Sequence, residues 1–449
     1  MDTGMSNRLL KLLVLAAGIA AILMGVSAER QEVMGLLVLW VIAFLWITET
    51  FHITITALLV PILAAALGLL EIRAALANFA HPIIFLFLGG FALAAAMRAQ
   101  GLDKWLAQSV LGMTGGRLDR GVVLLAIATA LLSMWISNTA VTAMMLPLML
   151  GLLAQKEDLP FRTQTFSLLI IAYSASIGGI GTLVGSPPNA IVAAELGLTF
   201  ADWLYVGIPM VILLWPLMLL VLYLVLRPDF AGGRVVVEQE SFVWTAQRKM
   251  LLGIFALTVS GWLLGQPLSN WLGIRDTDTW VALMAVVLIT ATGVARWHDI
   301  EESTDWGVLL LFGGGLTLSS VLGGSGASEL LGFGLASLME GWGIVLVMLT
   351  LVAFVQFFGE ITSNTAATAL LVPIFVTLPP EVVSPTQAVL AVGICASCAF
   401  MLPVATPPNA LVHGTGKVPQ KSMMRVGLVL NLSCTLLLTV VFSQFYQAL

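Results

Sequence analysis

The chain has 449 residues, of which 59% are hydrophobic and only 10% charged, with mean hydropathy +1.03 and net charge −5. A soluble globular protein carries about 25% charged residues, so this composition cannot cover a water-facing surface and requires an integral membrane protein with many spans. The acidic balance offers no basic patch for a nucleic acid or a membrane surface. Gly and Pro are frequent but gather in no linker-like or low-complexity tract.

The first apolar run, 9–26, follows Arg8 and Lys11 and ends in Val26-Ser27-Ala28, a sequence like a signal-peptidase site. Further spans follow within a few residues. An uncleaved first span with a cytoplasmic N-terminus is therefore expected from the positive-inside rule. A crossing needs about 20 apolar residues, and 33–48, 53–70 and 82–97 are the next candidates. The apolar stretch 121–153 has a polar cluster at its centre. As one helix it would run about 50 Å, so it reads as a re-entrant hairpin turning at that cluster. Segment 168–194, interrupted by Gly and Pro-Pro, reads as a broken helix lining a cavity or protein. After span 207–226 comes the most polar linker, 227–249, with Arg227, Arg234, Arg248 and Lys249. The second half, 250–449, offers spans 250–265, 280–295, 306–323 and 426–446, a hairpin at 344–378 and a broken helix at 386–412.

The two halves repeat each other. Gly89-Gly90-Phe91 and Gly101 recur as Gly314-Gly315-Leu316 and Gly326, and Ser137-Asn138-Thr139-Ala140 as Ser363-Asn364-Thr365-Ala366. Pro147 and Pro373 follow the two S-N-T sequences at equal distance, and Pro187-Pro188-Asn189-Ala190 recurs as Pro407-Pro408-Asn409-Ala410. Paired interrupted segments at matching places in two halves point to a transporter's binding site at the membrane midplane. The number of intervening spans favours inverted repeats.

Ser, Asn and Thr at a hairpin tip present neutral oxygens beside the free carbonyls and N–H groups of helix ends. Such oxygens suit a hard cation such as Na⁺, and the N–H groups suit an anion. Two tips can therefore grip both ends of a dianion. A lone S-N-T is more often a helix-packing feature; two of them, each paired with a P-P-N turn, are not well explained that way.

These residues, with Gly185-Ser186 before the first Pro-Pro-Asn, Ala405-Thr406 before the second, and Asp305-Trp306-Gly307 running into Gly313-Gly314-Gly315, resemble the divalent anion/sodium symporter family over nearly the whole chain. The resemblance implies an all-α polytopic fold of two inverted repeats in the bacterial inner membrane. It further implies a scaffold, an elevator-type transport domain and a homodimer. The implied activity is sodium-driven import of C4-dicarboxylates, or citrate in some members. Its first sodium site would use Ser133, Ser137, Asn138 and Gly185, and its second Thr362, Ser363, Asn364 and Ala405. The substrate carboxylates would meet Asn138, Thr139, Ser186, Asn364, Thr365 and Thr406, with Pro187 and Pro407 shaping the turns. One departure stands out: the counterpart of Ser133 is Gly359, where family members often carry a hydroxyl. It leaves open the sodium-independent exchange, or proton coupling, of some carriers on this scaffold.

Other residues have blander readings. Glu360, and Glu49 with His52, are candidates for a proton relay, against a structural place or a helix end near water. His81, His298 and His413 sit near expected loop ends and are expected to be solvated, and the tryptophans are expected at the membrane–water interfaces. Cys395 and Cys398 form a C-x-x-C without the second pair or histidines of a zinc site; with Cys434 they read as small core residues. No nucleophile–base pair or metal-ligand set suggests an enzyme.

Overall fold

The computed structural model describes residues 3–25, 30–156, 158–230 and 242–446. The Val26-Ser27-Ala28 sequence and Arg234 of the linker lie outside them. The regular elements of the described residues are all helical, with no strand among them. The first half runs α1 (Thr3–Gly25), α2 (Arg30–Thr48), α3 (Ile53–Ala66), α4 (Ile72–Ala77), α5 (Pro82–Ala99) and α6 (Leu102–Gly112), then α7 (Leu118–Ser133), α8 (Asn138–Ala154), α9 (Phe161–Gly178), α10 (Pro187–Leu196) and α11 (Phe200–Leu226). The second half runs α12 (Ala246–Leu263), α13 (Gly265–Leu272), α14 (Thr277–Ala291), α15 (Trp297–Ser303), α16 (Trp306–Ser325) and α17 (Ala327–Leu338). It continues through α18 (Ile344–Gly359), α19 (Asn364–Phe375), α20 (Pro385–Ala396), α21 (Pro407–Gly414) and α22 (Gln420–Gln444). Six helical stretches are long and apolar enough to cross a membrane; α12 and α13, bent by 82° at their junction, would add a seventh.

Glycine explains much of the packing. A Cβ on Gly89 would stand 2.6 Å from the Ala282 Cβ, and one on Gly314 2.6 Å from the Ala57 Cβ. The paired landmarks thus serve one purpose: α5 lies against α14, and α16 against α3, at backbone contact. Gly101 and Gly326 both adopt the left-handed conformation, with φ of 67° and 79°. Each turns a long helix into a short one, α5 into α6 and α16 into α17, through a conformation that costs an L-residue about 1–2 kcal/mol.

The aromatic belt reading needs correction for three residues. Trp46, Trp203 and Trp262 are fully buried, and their indole N–H groups donate to the carbonyls of Ile53, Ile180 and Asp278 at 3.2, 2.9 and 2.9 Å. A wide apolar side chain with one donor suits a bundle interior where a carbonyl is free. Cys395, Cys398 and Cys434 are buried and unbridged.

Gly314→Ala should overpack the α3–α16 contact and cost about 1–3 kcal/mol. Gly334→Ala in α17, where a Cβ meets nothing within 4 Å, should be neutral or stabilising by helix propensity. Thermal melts of both variants in detergent check this, with midpoints moving in opposite directions or only the first falling.

Candidate functional site

In the first half, α7 stops at Ser133 and α8 starts at Asn138, with Ser137 as N-cap accepting from the Ala140 N–H at 3.4 Å. Residues 134–137 form the tip between them. Helix α9 ends at Gly178, two 3-10 turns follow (Gly179–Gly181 and Leu183–Gly185), and α10 starts at Pro187. Proline suits that first position, because its missing N–H would be unpaired there anyway. The unwound carbonyls between α9 and α10 are met by side chains. Asn189 Nδ2 donates to Gly179 O at 2.8 Å and Thr182 O at 2.7 Å, and Trp203 Nε1 to Ile180 O. Thr182 Oγ1 in turn donates to Met134 O at the tip, 2.5 Å away.

Ser133, Asn138 and Gly185 come together here. Ser133 Oγ lies 2.6 Å from Asn138 Oδ1 and 2.8 Å from Ala175 O. A hydroxyl has one proton for these two acceptors, so the corner is rich in oxygen and poor in hydrogen. A Cβ on Gly179 would strike Asn138 Oδ1 and stand 3.0 Å from Gly185 O, so only glycine admits the tip this closely. Neutral oxygens converging at one corner fit a hard monovalent cation. Ser137 and Thr139 are exposed on the tip, and Ser186 is buried, with no side-chain bond capping α10.

The second half repeats the plan with different partners. α18 ends at Gly359, α19 starts at Asn364 with Ser363 as N-cap, and the chain is unwound from 397 to 406 between α20 and α21. Asn409 Nδ2 donates to Ala399 O and Leu402 O at 3.2 and 3.1 Å, and the Asn409 N–H to Thr406 Oγ1 at 3.3 Å. Asn364 Oδ1 is buried and has no hydrogen-bond partner among the described residues. A Cβ on Gly359 would meet Ala396 O at 3.7 Å and Asn364 Oδ1 at 3.9 Å; Asn364 Oδ1 is the counterpart of the Asn138 oxygen that Ser133 touches. The hydroxyl of the first corner is absent from the second, and the room for it is not. Thr362, Thr365, Ala405 and Thr406 are buried around this corner; Ser363 is half-buried and Pro407 exposed.

The halves interlock. α10 packs on α19 and α20, and α21 on α8 and α9, so each broken helix joins the other half's hairpin. The Tyr173 hydroxyl, on α9, donates to Phe400 O in the second break at 2.7 Å.

Comparison with known proteins places the chain in a transporter family. The family model described as "Citrate transporter" matches residues 43–384. The chain belongs to this family. It is 48% identical to an uncharacterized transporter of Haemophilus influenzae, over 93% of each chain. It is 34% identical to the sodium-dependent dicarboxylate transporter SdcS of Staphylococcus aureus, over 90% of this chain and 84% of that one. In structure it is similar to the YdaH transporter of Alcanivorax borkumensis, with TM-score 0.57 and 16% identity over 82% and 86% of the two chains. These matches and the apolar helices make it a multi-pass membrane transporter of the divalent anion/sodium symporter type, not an enzyme; its bacterial relatives fit the inner membrane.

Sequence reasoning left Asn189 and Asn409 out of the site, although their repetition in both halves was the signal for them. They hold the unwound carbonyls. Glu360 and Tyr173 were also missed as parts of the second break, since no local pattern joins them to residues 400–402. Glu49 and His52 lie exposed in the turn between α2 and α3, and His81 caps α5, accepting from the Ile83 N–H. His298 is exposed beside Glu302, while His413 is half-buried with its Nδ1 2.8 Å from Val418 O.

A buried group left without its partner costs about 1–3 kcal/mol. Asn189→Ala removes a donor from two carbonyls at short distance, and Asn409→Ala from two at longer distance. Both should lower the melting midpoint in detergent, Asn189→Ala by more; equal midpoints would contradict this reading.

Proposed function

We propose that the protein imports C4-dicarboxylates of the succinate, malate or fumarate type by symport with Na⁺. The observation that carries this reading is the pair of oxygen-lined corners at Asn138 and Asn364, neither of whose S-N-T or P-P-N segments contains Arg or Lys. A dianion buried without basic partners is costly. Bound cations supply the missing positive charge, and each substrate carboxylate is held by an Asn–Thr pair (Asn138 and Thr139, Asn364 and Thr365) with Ser186 or Thr406. Ser133, Ser137, Asn138 and Gly185 hold one cation, and Thr362, Ser363, Asn364 and Ala405 the other. The relationship to SdcS, a sodium-dependent dicarboxylate transporter, supports the same reading.

Charge distribution supports inverted repeats. The open ends of the first hairpin carry Arg117, Arg120, Lys156 and Arg162; those of the second carry Glu340 and Glu381 and no Lys or Arg. By the positive-inside rule the first hairpin enters from the cytoplasm and the second from outside. The halves 1–226 and 250–449, joined by linker 227–249, then each give hairpin and broken helix to one mobile body, α7–α11 with α18–α22. α2, α3, α5, α14 and α16 form the scaffold over which that body moves as an elevator, in a homodimer as the family resemblance implies.

Gly359 favours a second reading, exchange of dicarboxylates without sodium, because it removes an oxygen from one corner. Uptake of labelled succinate into proteoliposomes separates the two. Under symport, replacing sodium by choline should raise the half-saturating succinate concentration about 100-fold, the upper range of site-to-site coupling; unchanged uptake would establish the exchanger reading. Asn138→Ala and Asn364→Ala should each abolish uptake in a folded, inserted protein, and near-normal uptake by both would refute the site.

Gly359 closes a helix and is absent from the positive-φ glycines, so a side chain there meets no backbone strain. Gly359→Ser should fold normally and lower the half-saturating sodium concentration about threefold, by completing a cation's oxygen shell. A stable variant with unaltered sodium dependence would show that this corner holds no cation.

A further inference from the structure

Glu360 sits at the tip of the second hairpin and is 3% exposed. Its Oε1 accepts from the Phe400 N–H at 2.7 Å, the Met401 N–H at 2.8 Å and Asn431 Nδ2 at 2.7 Å, and its Oε2 from the Leu402 N–H at 2.9 Å. All four partners donate and none accepts, so the species that fits is the carboxylate anion. No cationic side chain is among them. Three of the donors are the backbone N–H groups freed where the chain unwinds after α20, a run of amides suited to an anion.

The arrangement is braced from behind. One turn earlier on α18, Gln356 Nε2 donates to Cys398 O at 3.0 Å, and the Thr435 hydroxyl of α22 donates to Gln356 Oε1 at 2.6 Å. Among the described residues the first half shows no such carboxylate clamp on its break. The counterpart of Glu360 is Met134, whose carbonyl takes the Thr182 hydroxyl.

We propose that Glu360 is a fixed internal anion and the positioning residue of the second half-site. It shapes residues 400–402, withholds their N–H groups from the substrate, and makes a substrate carboxylate acceptable there only beside a bound cation. The charge acts with opposite sign on the two ligands. It attracts the cation at Thr362, Ser363 and Asn364, a few residues away, and repels the dianion, in surroundings where charges are weakly screened. Binding of the cation and of the substrate carboxylate is then reciprocally coupled at this half-site. The inference rests on the sodium-coupled reading above and adds the residue that enforces the coupling.

Glu360→Gln keeps the size and one acceptor oxygen and removes the charge. In proteoliposomes carrying this variant, the half-saturating sodium concentration should rise about tenfold, as for loss of a charged partner. The half-saturating succinate concentration at saturating sodium should stay within about twofold, because lost repulsion offsets lost shape. Glu360→Asp, which keeps the charge, should recover most of the sodium affinity. A purely structural role predicts otherwise: both constants move together, or neither moves while the yield of folded carrier falls. Either result overturns the proposal. Hydrogen exchange in detergent tests the clamp without transport: the amides of 400–402 should exchange at least about tenfold faster in Glu360→Ala than in the wild type. Unchanged protection overturns it. A wild type that takes up no succinate with sodium, yet loses that protection in Glu360→Ala, would defeat the proposed function and leave the clamp standing.

Discussion

A peptide group inside a bilayer has no water to turn to, so every N–H and C=O must find a partner within the protein. The helices meet this demand along most of the chain. It is unmet where α9 gives way to α10 and where α20 gives way to α21, and the rest of the site follows from how those two gaps are closed. Asn189 spans the first, bonding carbonyls on both sides of the bend, and Trp203 takes the carbonyl between them. Asn409 does the same for carbonyls of the second, and Glu360 takes its N–H groups. Irregular backbone at membrane depth is tolerated because these side chains complete it.

The closing groups leave some polar atoms over, and those atoms define the chemistry. Ser133 Oγ has two oxygen neighbours for one proton, and Asn364 Oδ1 has no partner among the described residues. Glycines at 179 and 185 let the first tip approach the first break within reach of such oxygens. A bundle in which every polar atom is paired internally offers a passing ion nothing; here the second tip keeps an acceptor, Asn364 Oδ1, in reserve.

The two halves share a plan but not an identity. Ser133 faces Gly359, Met134 faces Glu360, and Ser186 faces Thr406 in the repeat. In the first half the tip offers a backbone carbonyl, to a threonine hydroxyl; in the second it offers a carboxylate, to backbone N–H groups. The two tips therefore present two electrostatic environments, although a hairpin and a broken helix recur in the same order in each half. Duplication accounts for the scaffold of the site, and divergence at a few tip positions for its polarity.

Composition alone determined that the chain belongs in a membrane, since 10% charged residues cannot solvate a surface of this size. The doubled S-N-T and P-P-N sequences located both tips and both breaks, because a polar cluster within an apolar run has few explanations. The paired glycines were visible too, but their meaning was not. That Gly89 and Gly314 admit a neighbouring helix, and that Gly101 and Gly326 turn one, depends on which element lies opposite. Only the tertiary structure decided that Asn189 and Asn409 hold the unwound backbone, that three tryptophans serve the interior, and that Glu360 reaches 40 residues along the chain to Phe400. The physical reason is common to all of them. A residue's type and its neighbours in sequence fix what it can donate, accept or bury, whereas its partner is set by the packing of helices far apart in the chain.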